Sequence, residues 1–174
     1  MQVYTDGSCY PNDGTGSGGW AYALLSEGSF YVCVGHINKP TTNNIAELSA
    51  MIAAVEDNPD AEIFSDSEYV VKGFNIWMSG WEKKGWKKKK GELKNSAFWK
   101  KLNELKREFY GKVHWVRGHN GTFLNELADA GANYARLKEL ENPKDFEMTK
   151  EEAEAFVKKY AGRDRYQNTF VKRT

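Results

Sequence analysis

Asp6 is the first residue of this chain whose type and position could support chemistry. It follows a short apolar segment at residues 1–4 and is followed at once by Gly7 and by a turn-forming stretch at residues 9–19. A carboxylate between a strand and a glycine-rich reversal can hold a hard metal ion. Ordinary surface turns have the same pattern, so Asp6 alone does not decide between the two interpretations.

Three further acids occupy comparable positions. Asp66 follows a short apolar segment at residues 61–65, Glu47 lies beside the apolar stripe of a helix, and Asp129 lies in the first turns of a helix after Gly121. Each also has an ordinary interpretation: a helix cap for Asp66, and solvated acids for Glu47 and Asp129. If the four carboxylates converge, they repel each other without cations, and an all-oxygen site of this kind suits Mg²⁺ or Mn²⁺.

A basic and aromatic segment runs from Trp81 to Lys101. It contains nine lysines and two glutamates. Lysine runs are usually solvated surfaces, but Trp81 and Trp86 lie among these lysines. Interleaved tryptophans favour a nucleic-acid surface, because lysines neutralise phosphates while rings stack on sugars or bases. Trp77 continues the apolar stripe of the preceding helix, so we expect it in the core.

The order of apolar segments predicts which elements position these residues. Three strands, at residues 1–4, 20–25 and 30–37, follow each other without a helix and form an antiparallel meander. Strands at residues 61–65 and 112–116 alternate with helices, so they are parallel to the first strand. The result is an α/β fold with a five-stranded mixed sheet flanked by helices. The C-terminal ends of its parallel strands share the edge where open sheets place their sites.

Composition limits the class of protein. A length of 174 residues with 40% hydrophobic residues fits one domain with an appendage. No run approaches the ~20 apolar residues of a membrane span, and two cysteines favour reduced thiols in a cytoplasmic protein. We expect no signal peptide, because the sequence enters a strand directly. Residues 139–154 contain seven acids and two lysines, and a capping box at Thr149 and Glu152 predicts a helix there.

Five segments, taken together and in this order, resemble type 1 ribonuclease H over residues 1–140. They are Thr5–Ser8, Thr42–Leu48, Ser65–Val70, Trp81–Trp99, and His114–Gly121 with Asn125–Asp129. The resemblance implies a ribonuclease H domain at residues 1–140, with a basic protrusion, and a C-terminal extension at 141–174 that contains one helix and a polar tail. It also implies an endonuclease that hydrolyses the RNA strand of RNA–DNA hybrids and leaves 5′-phosphate and 3′-hydroxyl ends.

The same resemblance assigns roles to individual residues. Asp6, Glu47, Asp66 and Asp129 would hold two Mg²⁺ ions, with Mn²⁺ as a substitute, and His119 would assist proton movement or product release. The implied substrate-binding residues fall into three groups: Cys9, Asn12, Asn43, Asn44 and Glu68 along the RNA strand; Trp81, Lys83, Lys84, Trp86 and Lys87 along the DNA strand; and Thr42, Lys94, Asn95 and Trp99 around a phosphate.

Some alternatives stay open at this level. Glu68 stands where bacterial members usually have glutamine, so its contact with RNA is in question. The extension could pack on the core, bind a protein partner or shield the basic groove. A non-catalytic hybrid-binding module and a related nuclease acting on DNA are competing functions. The intact set of acids argues against the first, and the basic protrusion with the paired asparagines argues against the second. We expect a monomer without a membrane anchor.

Overall fold

The computed structural model describes residues 1–118 and 121–162. The strands are β1 (Gln2–Tyr10), β2 (Gly16–Ser26), β3 (Ser29–Thr41), β4 (Glu62–Ser65), β5 (Lys112–Trp115) and β6 (Lys144–Met148). The helices are α1 (Asn43–Asp57), α2 (Glu68–Lys72), α3 (Met78–Lys83), α4 (Ser96–Lys106), α5 (Phe123–Lys138) and α6 (Lys150–Tyr160), and a π-helical turn (Gly73–Trp77) joins α2 to α3.

The sheet has the strand order β5-β4-β1-β2-β3-β6. β1, β2 and β3 are antiparallel neighbours, and β4 and β5 run parallel to β1, as the sequence predicts. The prediction of five strands was short by one, because β6 pairs antiparallel with β3. In β6 only Phe146 and Met148 face inward between exposed charged residues. This pattern is typical of a protected edge strand. The sequence did not predict the strand, because three of its five residues are charged.

β1 is longer than the sequence predicts. The parallel ladder with β4 ends at Tyr4 opposite Phe64, but the antiparallel ladder with β2 continues to Tyr10 opposite Ser17. Asp6 therefore lies inside a strand rather than at its end. It occupies the part of β1 that has already lost its neighbour β4, so its side chain lies at the edge of the parallel half of the sheet.

Two hydrophobic clusters cover the sheet. One cluster includes Leu48, Met51, Ile63 and Trp99, with residues from α1, α2 and α4, and the other is built largely on α5, with Leu127 among its members. The apolar stripe predicted for α1 is thus its buried face, and α5 buries one face in the other cluster. This fixes the rotation of both helices about their axes. Glu47 and Asp129 lie on these two helices, one in each layer.

Trp77 was expected in the core and is instead exposed over 37% of its surface. The π-helical turn places an extra residue in one turn of the helix, so the residues that follow rotate away from the 3.6-residue stripe. Val70, Val71 and Phe74 precede or begin this turn and are buried as predicted.

The C-terminal extension packs on the core as far as residue 162. Thr149 and Glu152 form the predicted capping box at the start of α6, and Ala153 is fully buried. Rings of Tyr134, Phe146 and Phe156 contact each other beneath the helix. The last part of the predicted polar tail lies outside the described residues, and the domain boundary at residue 140 stays a prediction. No helix among the described residues has both the length and the apolar character to span a membrane.

Candidate active site

Asp6, Glu47 and Asp66 converge at one point of the sheet edge. One carboxylate oxygen from each of the three lies within 4.8 Å of the others. Asp66 follows β4 directly, and the β1–β4 register that pairs Tyr4 with Phe64 places Asp6 level with Asp66. Glu47 comes from the second turn of α1, which crosses β1 at this level. The predicted convergence is therefore present for these three acids.

The carboxylates of this cluster repel each other, as expected of a cation site whose negative charge is not offset. Burial raises the pKa of Asp6 well above its ordinary value, and Glu47, Asp66 and Asp129 raise it further. The pKa of Glu47 is also raised, first by burial and then by Asp66. Among the described residues, no hydrogen-bond partner reaches the buried Oε1 atom of Glu47. A divalent cation would satisfy this oxygen and offset the repulsion, so these residues fit Mg²⁺ or Mn²⁺.

Asp129 approaches the cluster from α5 on the opposite layer. It lies outside the group within 4.8 Å but close enough to raise the pKa of Asp6. Its Oδ2 atom accepts a 3.0 Å hydrogen bond from the backbone amide of Gly162, in the C-terminal extension. The fourth predicted ligand thus borders the site, and a contact from outside the expected domain holds it.

The loop after β5 also reaches the site. A β-carbon at Gly118 would lie 2.8 Å from Asp66 Oδ2, so the backbone of this loop packs directly against the carboxylate. His119, the predicted loop histidine, lies outside the described residues.

Four of the five predicted RNA-strand residues, Cys9, Asn12, Asn43 and Asn44, lie at or beside the N-terminus of α1, and Glu68 begins α2. Thr42 caps this helix and accepts a 3.2 Å hydrogen bond from Ile45. The Asn12 side chain accepts a 3.0 Å bond from the Asn43 amide, which joins the β1–β2 turn to the helix start. The Cys9 thiol donates to the carbonyl of Thr41 at 3.5 Å.

Polar atoms in this region face solvent. Asn12, Asn43 and Asn44 are exposed. Amide groups both donate and accept, so exposed asparagines can recognise a ribose hydroxyl. Glu68 is exposed as well and forms a 3.0 Å ion pair with Lys72, which reduces the repulsion that its carboxylate would exert on a phosphate.

Trp99 does not line a phosphate site at the surface, as the resemblance implied, but lies in the core. It has no exposed surface, so it cannot touch a phosphate in this conformation. Its Nε1 atom donates a 3.0 Å hydrogen bond to the Tyr69 hydroxyl, which also accepts a 3.1 Å bond from Asn95. The Trp99 ring therefore holds the Tyr69 hydroxyl in place, and the hydroxyl in turn holds the Asn95 side chain. Lys94, beside them, is exposed.

Two tryptophans that contact each other and the core anchor the basic protrusion. The Trp86 amide donates a 2.9 Å hydrogen bond to the Trp81 carbonyl, and both rings pack partly against the core. Trp81 also contacts the Trp99 ring edge-on at a centroid distance of 5.1 Å. The tryptophans anchor the protrusion, and Lys83, Lys84 and Lys87 remain exposed.

Sequence reasoning missed a polar chain beside Asp129. Arg136 donates to the Ser8 hydroxyl at 2.8 Å, and Ser8 donates to the Asn133 side chain at 2.6 Å. Burial lowers the pKa of the Arg136 guanidinium, while Cys9 and Asp129 raise it, which places this cation near both. The available signal was the position of Arg136 two helical turns after Asp129, on the same face of α5.

The profile of the RNase H family matches residues 1–136. The chain belongs to the RNase H family. Ribonuclease H of Polynucleobacter asymbioticus is 44% identical over 135 residues, which cover 75% of this chain and 86% of that protein. Ribonuclease H of Cupriavidus metallidurans is 42% identical over 137 residues, with 76% and 92% covered.

A solved structure agrees with this assignment. LC9-RNase H1, described as a type 1 RNase H with the type 2 active-site motif, superposes with a TM-score of 0.72 and 26% identity. The superposition covers 93% of this chain and 80% of that one. The fold is thus the α/β fold of RNase H, in this chain with a six-stranded sheet, and the chain is an endonuclease of this hydrolase family.

Proposed function

We propose that this chain hydrolyses the RNA strand of RNA–DNA hybrids with the help of two divalent cations, Mg²⁺ by preference and Mn²⁺ as a substitute. The convergence of Asp6, Glu47 and Asp66 within 4.8 Å carries the proposal. Three acids in this arrangement, with Asp129 at its border, have little structural use without cations, because burial and repulsion destabilise them. Family membership supports the same reaction.

The residues divide the work. Asp6, Glu47, Asp66 and Asp129 would hold the cations, which activate a water molecule and neutralise the charge that develops at phosphorus. Asn12, Asn43 and Asn44 face the ribose hydroxyls, and a contact there distinguishes RNA from DNA. Hydrolysis by water in line with the leaving 3′-oxygen gives 5′-phosphate and 3′-hydroxyl ends.

Residues outside the acidic cluster would bind the phosphates of the hybrid and assist proton transfer. The exposed lysines of the protrusion attract the DNA-strand phosphates, and Tyr69 and Asn95 present polar groups toward a further phosphate. His119, which follows Gly118 beside Asp66, is the candidate for moving protons or releasing product. We also propose a monomer that acts in the cytoplasm, and a protein partner of the extension stays an alternative to simple packing.

A cleavage assay tests this function. Labelled RNA–DNA hybrid, double-stranded RNA and double-stranded DNA are each incubated with the protein, in Mg²⁺ or in chelator. We expect loss of RNA only from the hybrid and only with Mg²⁺. The products should be ligatable at a 5′-phosphate without prior kinase treatment. Cleavage of DNA, or hybrid binding without any cleavage, contradicts the proposal.

Two variants localise the activity. Asp6→Asn removes a ligand charge and should lower the cleavage rate at least about 100-fold, while hybrid binding persists because the lysines supply most of the affinity. Asp60→Asn makes the same chemical change at an exposed position in the loop before β4, and its activity should equal that of the unaltered protein. Full turnover by Asp6→Asn would overturn the ligand assignment.

A further inference from the structure

The C-terminal extension touches the candidate metal site at a single residue. The backbone amide of Gly162 donates a 3.0 Å hydrogen bond to Oδ2 of Asp129. This contact joins residues 33 positions apart in sequence, and residue 162 lies beyond the part of the chain that matches the family profile, residues 1–136. The donor to Asp129 therefore comes from outside the residues that match the family profile.

The position of this amide is fixed by several contacts. The Asn133 side chain donates a 2.9 Å hydrogen bond to the Tyr160 carbonyl at the end of α6, and Ser8 donates to Asn133 at 2.6 Å. The Ala161 amide donates to the Val157 carbonyl at 2.9 Å and continues the helical bonding for one more residue. The final turn of α6 is thus tied to α5 one turn after Asp129.

Contacts between aromatic rings of α5, β6 and α6 also hold α6 in place. Tyr134 contacts both Phe156 and Tyr160, at centroid distances of 5.5 Å and 5.1 Å. Phe146 of β6 contacts Phe156 at 6.0 Å. β6, α6 and the residues after α6 therefore form one packed unit, and Gly162 at its end contacts Asp129.

We infer that Gly162 is a positioning residue for Asp129, so that the extension completes the outer hydrogen-bond shell of the metal site. An N–H donor uses one of about four acceptor positions of a carboxylate, so the same group can bind a cation and accept from Gly162. Hydrogen bonds to metal-binding carboxylates orient the ligand, and their loss typically weakens metal binding about 10–100-fold. The inference rests on the proposed function, because it assigns Asp129 a cation.

The test replaces this donor: in Gly162→Pro the ring Cδ atom takes the place of the amide hydrogen, so the hydrogen bond to Asp129 is lost and the carboxylate must shift. Gly162→Pro lacks the amide hydrogen, and Gly162→Ala retains it. Ala161 already has φ −64° and ψ 125°, the extended conformation that a following proline requires. Proline at position 162 should therefore leave the end of α6 in place, and thermal melting of both full-length variants checks this.

Mg²⁺ binding to the free protein is measured by calorimetry. We expect Gly162→Pro to bind Mg²⁺ roughly tenfold more weakly than Gly162→Ala and the unaltered protein. In cleavage assays its kcat at low Mg²⁺ should fall, its KM for hybrid should stay unchanged, and high Mg²⁺ should restore kcat. A merely structural defect would also lower the melting temperature in the absence of Mg²⁺, because cation binding itself stabilises the folded state.

Asn133→Ala gives a second, independent perturbation, because it releases the Tyr160 carbonyl and loosens the segment that carries Gly162. It should shift the Mg²⁺ dependence in the same direction. Equal Mg²⁺ affinity and equal kcat for Gly162→Pro and Gly162→Ala would overturn the inference. Faster cleavage by Gly162→Pro would overturn it as well, and would identify the segment as inhibitory. If the unaltered protein fails to cleave hybrid, the proposed function fails instead.

Discussion

A β-carbon at Gly7 would lie 2.6 Å from the backbone nitrogen of Glu47, so β1 and α1 touch through their backbones beside the acidic cluster. This approach brings Glu47 to Asp6, and the Gly7 amide also donates a 2.9 Å hydrogen bond to Asp6. A side chain at position 7 must push the helix away from the strand. The distance between two predicted metal ligands thus depends on a glycine between them.

Gly7→Ala should therefore impair catalysis without removing any ligand. A displacement of about 1 Å at a catalytic centre can lower the rate about 100-fold, so we expect a loss of that order in kcat together with weaker Mg²⁺ binding. Hybrid cleavage kinetics and calorimetry measure both. Gly80→Ala is the matched control, since no described atom other than its chain neighbours and the backbone of its own helix lies within 4 Å of a β-carbon there. Normal turnover by Gly7→Ala would show that the contact is not needed.

The stability of the metal-free protein should depend on pH through the acidic cluster. Burial, first of all, and neighbouring acids raise the pKa of Asp6 and Glu47 above their unfolded values. Between the unfolded and folded pKa values, the folded state binds more protons than the unfolded state. The free energy of unfolding therefore falls as the pH rises through this window.

Thermal melting in chelator checks this dependence. Asp6→Asn should stabilise the metal-free protein more at high pH than at low pH, because the destabilisation that comes from the raised pKa of Asp6 disappears as the pH falls. Each kcal/mol corresponds to about 2–4 °C in a protein of this size. Asp60→Asn should show no such pH-dependent difference. Destabilisation by Asp6→Asn at the higher pH would argue against the repulsion inferred here.

The protrusion lysines should control the salt dependence of hybrid binding. Replacing Lys83, Lys84 and Lys87 by alanine removes three exposed charges. The slope of log affinity against log salt should become shallower by up to about 0.9 for each lost phosphate contact. Fluorescence anisotropy with labelled hybrid, measured over a series of salt concentrations, gives this slope.

The control removes three exposed lysines from α6, which lies away from the protrusion. Lys150, Lys158 and Lys159 are all exposed, so this triple variant changes the net charge equally. Its slope should stay close to that of the unaltered protein. Equal slopes for the two triple variants would show that net charge, rather than the protrusion, governs hybrid binding.

Gly73 and Trp99 should be energetically coupled. A β-carbon at Gly73 would overlap the six-membered ring of Trp99, so Gly73→Ala should lower the free energy of unfolding by about 1–3 kcal/mol. Trp99→Phe shortens the ring system and creates room for that β-carbon. The double variant should therefore be less destabilised than the sum of the two single variants, which denaturant melts can measure. Additive losses would mean that the two sites do not press on each other.

The same variants test the role of Trp99 beneath the polar groups. Trp99→Phe loses the Nε1 donor to Tyr69, so the Tyr69 hydroxyl and Asn95 lose a fixed position. We expect KM for hybrid to rise and kcat to change little, because the acidic cluster is untouched.

The amino-acid sequence by itself determined the order of elements and the identity of the acids. Strands and helices follow from local apolar periodicity, and the capping box at Thr149 follows from side chains that bond the first free amides of a helix. The acids at positions 6, 47 and 66 stand out because each adjoins a short apolar segment or an apolar stripe. These signals are local, so they can be read without coordinates.

Only the tertiary structure decided how these segments meet. The exposure of Trp77 depends on a π-helical turn, the burial of Trp99 depends on close packing against Gly73, and β6 depends on pairing with β3. The hydrogen bond from Gly162 to Asp129 joins segments that no local pattern connects. Residues far apart in sequence meet through packing and strand register, and the free energy of these contacts depends on the whole fold.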